Sequence, residues 1–257
     1  DDRAVTGTST RDWDAASYQR VSVPHEEWAR ATLARLALNG DETVLDAGCG
    51  SGRVTALLLE QVPRGRVVAV DGSPSMVEKV SEVLRPQDKA LVSDLTALEL
   101  ERPVDAIFSS AVFHWIADHD LLFRRMRTAL VAGGRFAAQC GGAGNIADFR
   151  DLVARLAVTD PYAEHLAGFE EPWNYAGAKE TEARLREAGF AEVRCWLQPW
   201  EILPPEPAEF LRTVCLGPYM DRLPQELGNE FVAAILAAEP APLRMRYVRL
   251  NIEAVAA

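Results

Sequence analysis

The sequence predicts an α/β fold, a doubly wound and mostly parallel seven-stranded sheet carrying a helical cap, and three observations support it. Val44-Leu45-Asp46, followed by Ala47-Gly48-Cys49-Gly50-Ser51-Gly52, is an apolar run ending in an acid and a glycine-crowded turn. That pattern describes a buried strand feeding a ligand-binding loop. Short apolar runs then alternate with helical periodicity up to Cys140, as a parallel sheet covered on both faces requires. Finally, two stretches rich in aromatics and prolines, 141–178 and 198–244, break the alternation and read as excursions forming a cap over the sheet.

Residues 1–37 read as an N-terminal flap and helix. The helix starts near Pro24, and Trp28, Ala31, Thr32 and Leu36 share one face at helical spacing. Residues 38–140 form the ligand-binding core. Its strands are Thr43 to Asp46, Arg66 to Asp71, Ala90 to Ser93, Ala106 to Ser110 and Arg135 to Cys140, the last after Gly133-Gly134. Helices such as Met76 to Leu84 and Leu121 to Leu130 fill the gaps. In 179–197, a helix from Lys179 to Ala188 closes on Gly189 and leads to a strand from Phe190 to Leu197. In the terminal segment 245–257, Tyr247, Arg249 and Asn251 alternate with Val248, Leu250 and Ile252, as in a strand.

At 257 residues the chain can bury a full core, and no apolar run approaches a membrane span. The first ten residues are polar, read as a mobile lead, and show no signal segment. A net charge of −11 with no basic stripe disfavours nucleic acid and anionic lipid as partners. Cys49, Cys140, Cys195 and Cys215 are scattered without a C-x-x-C pair, so they read as reduced, buried thiols of a cytoplasmic protein rather than metal ligands. No metal site is expected.

Spacing narrows the ligand. A dinucleotide fingerprint needs G-x-G-x-x-G, but Arg53 or Thr55 stands where the third glycine would fall, and no Lys follows to complete a phosphate loop. A pyrophosphate is therefore not the obvious guest.

The D-x-G-x-G-x-G turn, with Val67-Val68-Ala69-Val70-Asp71 downstream, resembles the opening of the class I S-adenosylmethionine-dependent methyltransferases. The resemblance implies a Rossmann-like methyltransferase sheet whose last strand inserts antiparallel between strands five and six. It also implies S-adenosyl-L-methionine as cofactor, with Gly48, Gly50 and Gly52 at its methionine portion and Asp71 with Gly72 at its ribose. An ionised carboxylate can accept two hydroxyl donors at once, which suits Asp71, although it could instead serve the start of the helix at Ser73-Pro74. Asp46 would meet the methionine ammonium, because a buried acid there would otherwise lack a partner. Asp94 and Leu95 follow strand three where the family meets adenine, with a turn or N-cap before Thr96 as the alternative for Asp94. Met76 could pack on the purine or simply fill the core, Ser110 closes strand four, and Cys49 reads as a small packing residue.

After strand four, Phe113-His114-Trp115 and the run Trp115-Ile116-Ala117-Asp118-His119 resemble small-molecule carboxyl methyltransferases, most closely the trans-aconitate methyltransferase group. Asp12-Trp13-Asp14, Tyr18, Phe210-Leu211-Arg212 and Leu216-Gly217-Pro218-Tyr219 extend the likeness into flap and cap. His114 could be a general base, a hydrogen-bond donor to a carboxylate, or a rim residue. Trp115 reads as a wall of the methyl pocket, Tyr18 and Gln19 as a closing flap, and Asp118 and His119 as caps of the next helix. Arg150, Arg155, Arg212 and Arg222 show no tricarboxylate-binding cluster, while Phe169, Trp173, Tyr175, Trp200 and Tyr219 suggest a more apolar guest. The expected function is O-methylation of a carboxylate or hydroxyl of a small metabolite by a monomer or homodimer. C- or N-methylation, or a cyclase-like or binding role that retains the cofactor's methyl, are the alternatives.

Overall fold

The computed structural model describes residues 23–257, with side chains from residue 27. Tyr18, Gln19 and the Asp12-Trp13-Asp14 segment lie outside the described residues. The chain begins with α1 (Val23–Arg35) and continues β1 (Thr43–Ala47), α2 (Arg53–Gln61), β2 (Arg66–Asp71), α3 (Pro74–Ser81), β3 (Lys89–Val92) and β4 (Val104–Ser110). A 3-10 turn (Phe113–Trp115) leads into α4 (His119–Ala129) and β5 (Leu130–Gly141). After the first excursion, with α5 (Ala147–Ala157) and α6 (Ala163–Leu166), come α7 (Ala178–Glu187) and β6 (Phe190–Ile202). The second excursion, ending in the long helix Gln225–Ala238, returns the chain to β7 (Met245–Ala256).

The seven strands lie in the order β3-β2-β1-β4-β5-β7-β6. Pairs from β3 to β5 are parallel, and β7 runs antiparallel to both β5 and β6. The terminal strand thus sits between the fifth and sixth, as the resemblance implies. Strand order reverses between β1 and β4, and the carboxyl ends of these two strands open a crevice where such sheets bind ligands. The central strands are buried on both faces, so Val44, Leu45, Val67, Val70, Ile107 and Phe108 form near-continuous apolar runs.

Three expectations need adjusting. Strand β5 begins at Leu130, so Gly133 and Gly134 lie within it; pairing jumps from Val104↔Leu130 to Ala106↔Arg135, and the glycines occupy the irregularity. Strand β6 runs to Ile202, five residues beyond Leu197, because Pro199 is tolerated on a strand that pairs only with β7. On α1, Ala31 is exposed, and the buried face is Trp28, Ala29, Thr32, Leu33 and Leu36.

The two excursions pack on each other. Phe149 and Val153 of the first and Phe210, Leu211, Phe231 and Ile235 of the second share one apolar cluster, which Trp28 and Tyr247 join to the sheet. This places a second core above the carboxyl ends of the strands. Among the described residues, no helix is long and apolar enough to cross a membrane, and all four cysteines are free and buried.

Candidate active site

A cavity of about 1020 Å³ opens at the carboxyl ends of β1, β2 and β4 and continues between them and the excursions. Of the expected cofactor residues, it brings together Asp46, Gly48, Gly50, Asp71, Gly72, Met76, Asp94, Leu95 and Ser110, and it joins them to His114 and Trp115. Gly52 stands behind the wall.

The three glycines have left-handed φ values of 82°, 53° and 88°, but different surroundings. A Cβ on Gly48 would fall 2.2 Å from a methyl of Val112, and one on Gly52 2.9 Å from a methyl of Val80. A Cβ on Gly50 would meet nothing within 4 Å. Gly48 and Gly52 therefore let the turn pack against its own protein, while Gly50 presents bare backbone to the cavity, a cradle that a side chain would fill. Gly50→Val should leave the fold standing at a strain of about 1–2 kcal/mol for the left-handed backbone, yet block the ligand. Calorimetric titration with cofactor checks this, and normal affinity would move the ligand away from the turn.

Asp71 ends β2. Its Oδ2 accepts from the Gly50 N–H and its Oδ1 from the Ser73 N–H, each at 2.9 Å. Burial pushes its carboxyl upward, and the N–H groups of Ser73, Gly50 and Gly72 oppose that shift. Three backbone N–H groups thus share the two oxygens, whose lone pairs can take more than one donor each. The helix cap belongs to Ser73, whose hydroxyl accepts from the Met76 N–H with Pro74 in the first turn. Asp46 is 2% exposed and has a partner, the Thr55 hydroxyl, 2.7 Å from its Oδ2. Burial raises its carboxyl to about 7, the Thr55 hydrogen bond acts the other way, and the charge of Asp71 adds to the rise. Asp94 is exposed, and its Oδ1 accepts from both the Thr96 N–H and hydroxyl, the turn-forming role weighed against adenine binding. Met76 and Leu95 are buried yet reach the cavity. Cys49 is 6% exposed at the cavity wall, and burial, then the charges of Asp46 and Asp71, push its thiol far up, which disfavours the reactive thiolate.

His114 and Trp115 sit on the 3-10 turn after β4. Nδ1 of His114 accepts from the Gly141 N–H at 3.3 Å, and its ring stacks on Tyr175 with centroids 5.8 Å apart. Asp118 caps α4 through the Leu121 N–H, as expected. His119 does not cap: it is buried and its Nε2 bonds the Phe113 carbonyl at 2.9 Å, because the chain turns back beneath the 3-10 segment.

Several cavity residues escaped sequence reasoning. Arg249 on β7 is 4% exposed, lies over the Trp28 ring, and donates from Nε and Nη2 to Gln139 Oε1, while Gln139 Nε2 donates to the Ser110 hydroxyl. Glu171 takes up Arg150 in an ion pair and accepts from the Tyr219 hydroxyl. Of the expected cap cations, only Arg222 lines the cavity, with its guanidinium over Phe169. The alternation of β7 signalled a polar row, but its burial depends on a neighbour 110 positions away.

Residues 45–138 match the family model described as a methyltransferase domain. A trans-aconitate 2-methyltransferase of Azoarcus sp. is 40% identical over 234 residues, covering 86% of this chain and 87% of that protein. Among solved structures, a phosphoethanolamine N-methyltransferase of Haemonchus contortus with S-adenosylhomocysteine bound superposes with a TM-score of 0.62 at 18% identity, over 94% of this chain and 56% of that one. A cyclopropane synthase of Mycobacterium tuberculosis does so with 0.57 at 15%, over 95% and 90%.

The chain is an S-adenosylmethionine-dependent methyltransferase of class I, with the Rossmann-like sheet of that class. Within the class it belongs with the small-molecule methyltransferases of the trans-aconitate 2-methyltransferase group. The residues at the glycine turn fit the cofactor: Gly50 leaves the space, and two acids flank it.

Proposed function

We propose that this enzyme methylates a carboxylate oxygen of a small metabolite. The observation that carries the reading is the His114 hydrogen bond. A neutral imidazole whose Nδ1 accepts from Gly141 carries its proton on Nε2, so the ring's other side is a donor rather than a lone pair. A phenol or alcohol acceptor needs a base; a carboxylate is already an anion and gains from a donor. The names of the relatives point the same way, since aconitate is a carboxylic acid.

In this reading, Asp71 takes the ribose hydroxyls and Gly72 lies beside them, while Asp94, Leu95 and Met76 border the adenine. Gly48, Gly50 and Gly52 shape the turn at the methionine portion, and Asp46 faces its ammonium. Ser110 closes the pocket at the end of β4, and Tyr18 is assigned to the covering flap. S-adenosylmethionine supplies a methyl group on a sulfonium, a good leaving group by its own charge. With an acceptor that is already an anion, the chain would have no proton to remove. The protein's task is alignment and exclusion of water, with His114 orienting the carboxylate and Trp115 walling the methyl path.

His114→Ala should raise KM about tenfold or more, the scale of a hydrogen bond to a charged group, with kcat little changed. His114→Gln, which keeps a donor, should restore most of it. The pH profile should stay flat until the acceptor itself protonates. A rate that falls as a histidine protonates would make His114 a base and overturn the carboxylate assignment. The product should hydrolyse in mild alkali as an ester; a base-stable product would mean C- or N-methylation, turnover without S-adenosylhomocysteine a cyclase-like role, and cofactor binding without turnover a binding role.

A further inference from the structure

We infer that the acceptor is a monocarboxylate with a flat, conjugated body, in chemical class an arylacrylic or arylalkanoic acid, lying along the wall formed by His114, Tyr175 and Trp173. The inference rests on the carboxylate reading above and deepens it.

The wall is an aromatic staircase. His114 and Tyr175 lie 5.8 Å apart at 22°, and Tyr175 and Trp173 lie 6.2 Å apart at 9°, so three rings run nearly parallel with offset centres. Trp115 packs against both ends of the series, 5.3 Å from His114 and 5.7 Å from Trp173. All four rings line the cavity. Offset parallel rings of this kind favour a planar π system over a saturated chain of equal size.

The staircase is fixed before any ligand arrives. The Asn174 N–H donates to the His114 carbonyl at 2.8 Å, and its side-chain amide donates to the Ala117 carbonyl at 3.0 Å, tying the loop to the 3-10 turn. The Arg150 guanidinium covers Tyr175 at 5.3 Å and is itself paired with Glu171. A preformed platform costs little ordering on binding.

Charge limits the guest to one carboxylate. Among the described residues, the cavity wall carries more acids than cations even with Glu171 set against Arg150: Asp118, Glu170 and Asp221 join the three acids of the cofactor end, against Arg53, Arg222 and Arg249. Glu171 has already taken up Arg150. A trianion would meet more acids than cations, whereas a monoanion needs only the donor at His114, the inner step of the staircase, while its body covers Tyr175 and Trp173. Recognition of several carboxylates would call for converging guanidinium forks instead.

The test uses the purified full chain, labelled cofactor, and three acids: trans-cinnamate, its saturated analogue 3-cyclohexylpropanoate, and trans-aconitate. Methyl ester from cinnamate should exceed that from either other acid by about tenfold in kcat/KM, the upper range for an aromatic pair. Trp173→Leu should erase most of the preference for cinnamate over the cyclohexyl acid through KM, with cofactor affinity by calorimetry as the control. The wild-type comparison stands alone if that variant does not fold. Preference for trans-aconitate, or equal rates for the flat and saturated acids, overturns the flat-body inference and leaves carboxylate methylation standing. No ester from any acid, with cofactor bound, overturns both.

Discussion

Asp71→Ala should weaken S-adenosylmethionine binding by about 2 kcal/mol or more, roughly thirtyfold in Kd, because the carboxylate is assigned two charge-assisted hydrogen bonds to the ribose. The structure adds a second contribution. The same carboxylate holds the Gly50 and Ser73 N–H groups, so its removal also releases the glycine turn. Asp71→Asn separates the two effects. The amide keeps one acceptor oxygen, so it can retain one backbone contact while presenting N–H donors where hydroxyl donors are expected. Affinity of the Asn variant near that of the Ala variant would place the effect at the ribose; affinity near wild type would place it in the turn. Unchanged binding in both would reject the ribose assignment. Thermal melting without cofactor should drop only slightly for either variant, since Asp71 lies at the end of its strand and outside the main core.

The sheet was legible because its signals are local. Val67 to Val70 is an unbroken apolar run ending at the acid Asp71, and Ser73-Pro74 is a capping residue followed by a first-turn proline, so strand and helix start can be read from adjacent letters. The extension of β6 past Leu197 was not legible for a physical reason: a proline such as Pro199 is excluded from a central strand but not from an edge, and edge position belongs to the assembled sheet. The glycine turn was half legible. Its glycines marked a ligand-binding loop, but only the neighbours Val112, Val80 and Val83 show that Gly48 and Gly52 serve packing and Gly50 the cavity. The site roles of Arg249, Gln139 and Glu171 were not legible, although the alternation of β7 placed Arg249 on a strand. Each takes its meaning from a partner far along the chain, and the loop that carries Glu171 and Trp173 has no periodicity to place it. His119 shows the same limit in miniature, since a residue at a helix start looks like a cap until the preceding turn folds beneath it.

Asp46→Asn should stabilise the cofactor-free protein near neutral pH while weakening cofactor binding. The Asp46 carboxyl rises from an ordinary 3.8 to about 7 in the fold, chiefly because burial disfavours the charged form. The folded chain therefore holds this proton more tightly than the unfolded chain. The stabilisation is complete below about pH 4 and is lost as pH climbs to about 7, at up to about 1.4 kcal/mol per unit and at most about 4 kcal/mol in all. Asparagine removes the titration and keeps an acceptor for the Thr55 hydroxyl, which lies 2.7 Å from the carboxylate. Any cost of the buried amide does not vary with pH, so it drops out of the pH dependence of the difference between variant and wild type. That difference in melting temperature should grow in favour of the variant from pH 4.5 to 7.5, by on the order of 10 °C for a chain of this size, and level off above. The cofactor reverses the preference, since an ammonium beside Asp46 favours the ionised form that the empty protein disfavours. Calorimetry at pH 7.5 should then show weaker S-adenosylmethionine binding to the variant than to wild type. A melting difference that stays constant across the window would mean that Asp46 does not titrate there, and equal cofactor affinity would remove it from the ammonium site.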